Sequence, residues 1–178
     1  MPFRSKEFNL QIEIFVEGPL KEELLQKSTK LLSLKNPQEK AKCIKEITDL
    51  MDEKLEKETK KDILEACGGK CIGSSILKKA LVLQKQSANI DDLLNKLNSA
   101  HIGGGHLVRK ENIIFAQYDK CYCGSVNRSK ERFSETFCYC SCGWYKQLFE
   151  TLIQKSITIE LVNSILQGNS VCQFQIHI

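Results

Sequence analysis

The sequence lacks any apolar run long enough to cross a membrane, and its amino terminus has no apolar core of signal-peptide length. We therefore expect a cytoplasmic protein with no membrane partner. The sequence also lacks a large excess of one charge, since its formal net charge is +4 and lysines mix with glutamates in stretches such as 54–61. A nucleic-acid-binding protein usually carries an unbalanced basic stripe, so we expect no nucleic-acid partner.

Several familiar motifs are also missing. The sequence has no internal repeat at a fixed period and no His-Glu-x-x-His zinc motif. The glycines at 103–105 lack the lysine and the serine or threonine of a phosphate-binding loop. We therefore interpret this triple glycine as a flexible joint.

Cysteine is the unusual component, with nine copies among 178 residues. Apolar residues make up 42% and charged residues 27%, which is ordinary for a soluble globular protein that can bury a real core. A small core is therefore not the reason for so many cysteines. Structural disulfides are rare in a reducing cytoplasm, so the thiols are metal ligands, working thiols or small core residues.

The amino-terminal region, residues 1–100, reads as mainly helical. Partial alternation of apolar residues predicts a strand over 8–16, and helical spacing then predicts helices over 20–34 and from Pro37 to about residue 66, with a break in the charged 56–61 stretch. Gly68 and Gly69 resemble a left-handed helix cap. Two further helices are predicted, one from about residue 74 and one after the capping residue Asn89.

The carboxy-terminal region, residues 101–178, contains the strand signals. We predict a hairpin turning at 110–112, a loop over 124–133, a helix capped by Ser141, a strand from Ile157 and a last strand from Cys172. The order strand–strand–helix–strand–strand after a helical region predicts an α+β fold with an antiparallel sheet and a packed helix. We expect the two regions to form one compact domain.

Two pairs of cysteines have a spacing that suits a metal ion. Cys121 with Cys123, and Cys138 with Cys140, are each separated by one residue. In extended chain such a pair points to one side, and four thiolates suit zinc or, as a weaker alternative, an iron–sulfur cluster. Zinc-binding cysteine pairs usually have two intervening residues. Two alternatives therefore stay open, reduced cysteines that pack in the core and reactive thiols.

Reactive chemistry has its own candidates. Cys142 begins a predicted helix, whose amino terminus lowers a thiol pKa, and Cys140 is the second choice of nucleophile. His106 is the candidate base. Cys67 and Cys71 flank Gly68-Gly69-Lys70 and form a second candidate thiol site, whereas Cys43 lies beside a helical core stripe and is interpreted as a packing residue.

The end of the chain resembles a known family. Residues 137–150 and 157–176 resemble the end of the 4-vinyl-reductase-type small-molecule-binding domains, which share a superfamily with haem-based nitric-oxide sensors and vesicle-tethering subunits. The pattern is a cysteine before a glycine-containing helix, then a strand, then Gly-x-x-x-Cys-x-Phe. The matching positions are Cys138 or Cys140, Gly143, Gly168, Cys172 and Phe174.

The resemblance implies an α+β fold, an apolar or mixed-polarity ligand, and in some members a cysteine-bound structural zinc and a two-fold dimer. By analogy Cys138 and Cys172 would bind zinc. Some members have further cysteines where this chain has Ser164 and Gly168, so Cys121, Cys123 or Cys140 would have to complete the site. The 2-amino-thiazoline-4-carboxylate hydrolase family has a similar ending, and a related cysteine-rich prokaryotic family is the closest likeness.

Two functional hypotheses follow from these observations. The first is a small-molecule-binding or sensing domain with a cysteine-bound metal, zinc before an iron–sulfur cluster, and a homodimer as one expectation. The second is a hydrolytic or redox enzyme that uses a cysteine thiolate. The sequence leaves the choice between enzyme and binding domain open.

Overall fold

The computed structural model describes residues 6–124, 126–127, 129 and 131–178. In this part of the chain, helices fill the amino-terminal region. They are α1 (Lys6–Phe15), α2 (Gly18–Ser33), α3 (Pro37–Lys54), α4 (Lys57–Cys71), α5 (Ser74–Lys85) and α6 (Ile90–Ser99). The predicted break exists but lies at the start of the charged stretch, because α3 ends at Lys54 and α4 begins at Lys57, so residues 57–61 are helical.

The strand predicted over 8–16 is wrong, because this segment forms α1. Phe8 and Ile12, one helical turn apart, are fully buried, and Val16 just beyond the helix is buried with them. Leu10 and Ile14, which strand alternation would place beside Ile12, are exposed. The buried spacing is therefore four residues, as expected for a helix.

Local capping signals fix two helix starts. The Asn36 side-chain oxygen accepts a hydrogen bond from the Gln38 backbone N–H at 2.8 Å, with Pro37 in the first helical position of α3. The Asn89 side chain accepts from the Asp92 N–H at 3.0 Å and caps α6. Both starts confirm the sequence prediction.

The glycine cap predicted at the end of α4 is wrong, because Gly68 and Gly69 lie inside the helix. A Cβ atom on Gly68 would lie 1.9 Å from the carbonyl oxygen of Cys140, and one on Gly143 would lie 1.9 Å from that of Glu65. The helix that carries Cys140 and Gly143 therefore crosses α4 with the two backbones in contact. Glycine is needed here for close approach and not for a left-handed turn.

The carboxy-terminal region forms a four-stranded antiparallel sheet in the order β1–β2–β4–β3. Its elements are β1 (His106–Lys110), β2 (Ile113–Tyr118), a 3-10 helix (Glu135–Cys138), α7 (Tyr139–Ile153), β3 (Thr158–Asn163), a second 3-10 helix (Ile165–Gln167) and β4 (Cys172–His177). This arrangement confirms the predicted α+β class. The loop predicted over 124–133 falls partly outside the described residues.

Helix α7 begins three residues earlier than expected. It starts at Tyr139, so Ser141 lies within the first turn and does not cap it. The preceding residue is Cys138, which follows directly from the 3-10 helix. The 3-10 turn therefore leads straight into α7 and places three cysteines around one helix start.

The triple glycine is a packed turn instead of a flexible joint. Gly103, Gly104 and Gly105 all have positive φ angles, from 79° to 87°. A Cβ atom on Gly104 would lie 2.4 Å from the carbonyl oxygen of Gln117. The Tyr145 hydroxyl donates to the Gly103 carbonyl at 3.1 Å, which ties the turn to α7.

Helix α7 covers one face of the sheet through an aromatic cluster. The Tyr145 ring stacks on Tyr118 with centroids 5.4 Å apart and lies 5.1 Å from Phe174. Tyr145, Leu148, Phe149 and Leu152 are all buried, so these side chains pack on the sheet. None of the described helices has both the length and the apolar composition needed to span a membrane.

Candidate functional site

Cys138 and Cys172 meet at the hydroxyl group of Ser164. Cys138 precedes α7, Cys172 begins β4 and Ser164 follows β3, and all three side chains are buried. The Cys138 Sγ lies 2.9 Å from the Ser164 Oγ, which also hydrogen-bonds to Cys172. The Ile165 backbone N–H donates to the Cys172 Sγ at 3.3 Å. Two thiols far apart in sequence thus share one hydroxyl.

Cys121 and Cys123 bring two more thiols to this place. Both lie in the loop after β2 and are partly buried. Burial, and then the thiols of Cys172, Cys121 and Cys123, raise the pKa of Cys138 to about 12. Burial also raises the pKa of Cys121 to about 11, with Cys123 and Cys172 adding to the effect. We call Cys121, Cys123, Cys138 and Cys172 the thiol cluster.

Cys140 lies at the edge of the thiol cluster. It occupies the first turn of α7, where burial and then the thiols of Cys123, Cys138 and Cys71 raise its pKa well above its ordinary value. Cys71 is exposed at the last residue of α4. The glycine crossing of α4 and α7 thus brings Cys71 into electrostatic range of Cys140, whereas Cys67 is buried within α4.

The low pKa predicted for Cys142 is wrong. Cys142 is fully buried, and burial followed by the negative charge of Glu65 raises its thiol pKa. The helix amino terminus favours a thiolate, but the loss of solvation and the nearby carboxylate outweigh it. In this fold Cys142 is a protonated core thiol.

The structure does not bring His106 to Cys142. His106 is exposed at the start of β1, and its Nε2 lies 2.8 Å from the Asp119 Oδ2. Its neighbour Leu107 is buried, so His106 faces solvent from the side of the sheet opposite to α7. A nucleophile and its base must lie within hydrogen-bond reach, and these two residues lie on different sides of the sheet.

Cys43 is a packing residue, as predicted. It is buried in α3, with its Sγ 3.6 Å from the carbonyl oxygen of Lys27 in α2. It lies outside the thiol cluster.

The thiol cluster does not yet have the geometry of a bound ion. Within the described ranges, no three His, Cys, Asp or Glu side chains are placed to hold a metal ion together. Sulfurs on one tetrahedral zinc lie roughly 3.8 Å apart. The four thiols are suitable ligands for zinc. Their sulfur atoms would have to move closer together to bind one ion.

Ser164 is the part of the site that residue patterns did not identify as a contact. The family resemblance marks Ser164 only as a position where some members have a cysteine, and the fold places its hydroxyl between two thiols. The convergence of Cys138 with Cys172 followed from the family resemblance and not from spacing.

Comparison with known proteins gives a family without a known function. The model described as "Family of unknown function (DUF6144)" matches residues 25–178, so this chain belongs to that family. No curated protein matches the sequence. The predicted membership of the 4-vinyl-reductase superfamily stays a prediction.

One solved structure that the comparison matches is the phenol-responsive sensory domain of the transcription activator PoxR, crystallised with phenol. It matches with a TM-score of 0.45 and 13% identity, over 81% of this chain and 75% of that one. A likeness this distant carries no argument about what this protein binds.

Proposed function

We propose that this DUF6144 protein is a small-molecule-binding or sensing domain whose thiol cluster binds a zinc ion. The carrying observation is that thiols from three separate chain segments, residues 121–123, 138 and 172, lie near enough to raise one another's pKa. A core needs no such convergence, and four thiolates are a common zinc ligand set.

The shared hydroxyl of Ser164 supports a site that draws Cys138 and Cys172 together. Both thiols hydrogen-bond to it, so they are held near one another without a disulfide. In a zinc site such outer hydrogen bonds orient the ligands and tune the metal.

Cys121 and Cys123 supply the remaining ligands in this proposal. They lie in a loop between β2 and the 3-10 helix, outside any regular element. A loop can move toward the fixed thiols of Cys138, in the 3-10 helix, and Cys172, in β4, at less cost than either element could shift. Binding would release protons, because zinc holds thiolates and burial keeps these thiols protonated.

Metal analysis tests this proposal. We expect protein purified without chelators to contain about one equivalent of zinc, as a structural site requires. Cys138→Ser and Cys172→Ser should each lose it, whereas Cys43→Ala, which changes an equally buried cysteine outside the cluster, should keep it. Less than about one-tenth equivalent of any transition metal in protein purified without chelators would contradict the zinc site.

The alternative of a cysteine-thiolate enzyme gains no specific support from the site. Burial raises the thiol pKa values of Cys138, Cys140 and Cys142, and the candidate base His106 faces solvent. A nucleophilic cysteine usually needs a lowered pKa or an adjacent base.

A further inference from the structure

A groove of about 380 Å³ lies where α1 and α7 flank α4, apart from the thiol cluster. Its lining includes Ala66, Gly69 and Gly143, which contribute almost no side chain. The groove exists because the glycine crossing draws α4 and α7 together and leaves their neighbouring surface bare. Its volume is at the lower end of the range for small-molecule sites.

The charge of the groove is negative. Its charged lining consists of the carboxylates Glu7, Asp62, Glu65 and Glu150 and the amines Lys70 and Lys146. In the part of the chain that the structure describes, no lysine or arginine forms an ion pair with Glu7, Asp62 or Glu150. Carboxylates therefore outnumber amines, and a cation is favoured over an anion.

Glu65 is a groove carboxylate with one oxygen that accepts no hydrogen bond within the part of the chain that the structure describes. Its side chain is 10% exposed, and its Oε2 lies 3.5 Å from the Lys146 Nζ. Its Oε1 is buried and accepts no hydrogen bond from the described residues, since the Lys61 Nζ stays 3.8 Å away. Burial raises the pKa of this carboxyl more than Lys146 and Lys61 lower it, so its negative charge is incompletely compensated and a cationic group in the groove would stabilise it.

Phe15 adds an aromatic surface to the same groove. It lies on one face of α1 with Glu7 and Gln11, at a spacing of four residues, and is 42% exposed. An aromatic ring attracts an ammonium or guanidinium group through its quadrupole and packs against an alkyl chain. Carboxylates beside an exposed aromatic ring are groups that together bind organic cations.

We propose that this groove binds a small organic cation, an alkylammonium or alkylguanidinium compound. Its charged head donates to the Glu65 carboxylate, the outer carboxylates Glu7 and Asp62 attract it, and its chain lies against Phe15. This assignment rests on the proposed small-molecule binding but not on the zinc ion.

Calorimetric titration with four matched probes tests the ligand class: butylamine, agmatine, 1-butanol and butyrate. At physiological ionic strength, agmatine and butylamine should bind, agmatine more tightly because it carries two cationic groups. Butanol and butyrate should give no heat of binding. Equal binding of butylamine and butyrate, or no binding of either cation, would overturn the assignment.

A matched pair of variants tests the position. Glu65→Gln should weaken agmatine binding by about tenfold or more, because it removes a charge-assisted hydrogen bond. Glu13→Gln makes the same change at an exposed site on α1 outside the groove and should leave the affinity unchanged. Equal effects of the two variants would show that the groove is not the site.

A double variant guards against a folding defect in Glu65→Gln. Glu7→Gln with Asp62→Asn alters two carboxylates at the outer part of the groove and should also weaken agmatine binding, by several-fold. Unchanged affinity in this variant would also count against the groove. Zinc content measured on the same samples separates the two proposals, because loss of cation binding should leave it unchanged.

Discussion

Gly68 and Cys140 lie so close that a Cβ atom on the glycine would be 1.9 Å from the cysteine carbonyl oxygen. This approach sets the spacing of α4 and α7. It thereby places Cys71 near Cys140 and leaves the groove beside Gly69.

Gly68→Ala should therefore destabilise the protein, by roughly 2 kcal/mol or more, because the helices must move apart. Alanine favours a helix over glycine by about 1 kcal/mol. A lower free energy of unfolding in Gly68→Ala would therefore come from the steric clash and not from helix propensity. The measurement is urea unfolding followed by circular dichroism.

Gly69→Ala is the matched control in the same helix. Its Cβ atom would meet the Gln147 side chain at 3.6 Å, an ordinary contact. We expect this variant to gain about 0.5–1 kcal/mol. If both alanine variants change the free energy of unfolding in the same direction, the close crossing is not the reason for the glycine.

Asp52 should make the stability depend on pH. Burial opposes its charge, but hydrogen bonds from Lys60 at 2.8 Å and Thr136 at 2.6 Å outweigh burial and lower the pKa of this carboxyl. A lowered pKa stabilises the fold above the unfolded value of about 3.9, and that stability is lost as pH falls through the folded pKa.

Asp52→Asn should cost about 1–2 kcal/mol at pH 7, and the difference from the unaltered protein should shrink below about pH 4. Asp49→Asn removes a more exposed carboxylate of α3 that pairs with Lys45 and should cost less than about 0.5 kcal/mol. Denaturant unfolding at several pH values measures both. A cost for Asp52→Asn that does not change with pH would contradict the role of its charge.

Ser164→Ala should cost about 1–3 kcal/mol, because it removes a buried hydroxyl shared by two thiols and by the Leu166 N–H at 3.2 Å. Ser99→Ala removes an exposed hydroxyl that donates to the Asn95 carbonyl and should be nearly neutral. Thermal unfolding in the presence of a chelator measures the difference without any metal contribution. Equal melting temperatures for the two variants would show that the hydroxyl bridge is unimportant for stability.

Alkylation should distinguish the cysteines by burial. After chelation at pH 7, iodoacetamide should modify exposed Cys71 first. Cys138, with a pKa of about 12, should react roughly a thousandfold more slowly than an unperturbed thiol, because the thiolate is the reactive form. Mass spectrometry of peptides from timed samples measures each rate. Modification of Cys142 as early as Cys71 would revive the nucleophile hypothesis.

Local chemistry explains which elements could be predicted. Asn36 and Asn89 cap helices through their own side chains, and the alternation after Cys172 sets a strand face by itself. The 8–16 segment was predicted wrongly because Phe8, Ile12 and Val16 are spaced by four residues. That spacing places them on one side of a strand and also on one side of a helix. Only the packing of this segment on the other helices decides between a strand and a helix.

The sequence by itself determined the α+β order, most helix starts and the positions of nine thiols along the chain. Only the tertiary structure decided which thiols meet. The local sequence predicts that Gly68 ends a helix. In the fold Gly68 instead allows close contact with the backbone of Cys140, 72 positions away. Cys142 reads locally as a low-pKa thiol, but burial decides its charge. Contacts and solvation between distant segments are properties of the folded chain, so spacing alone could not supply them.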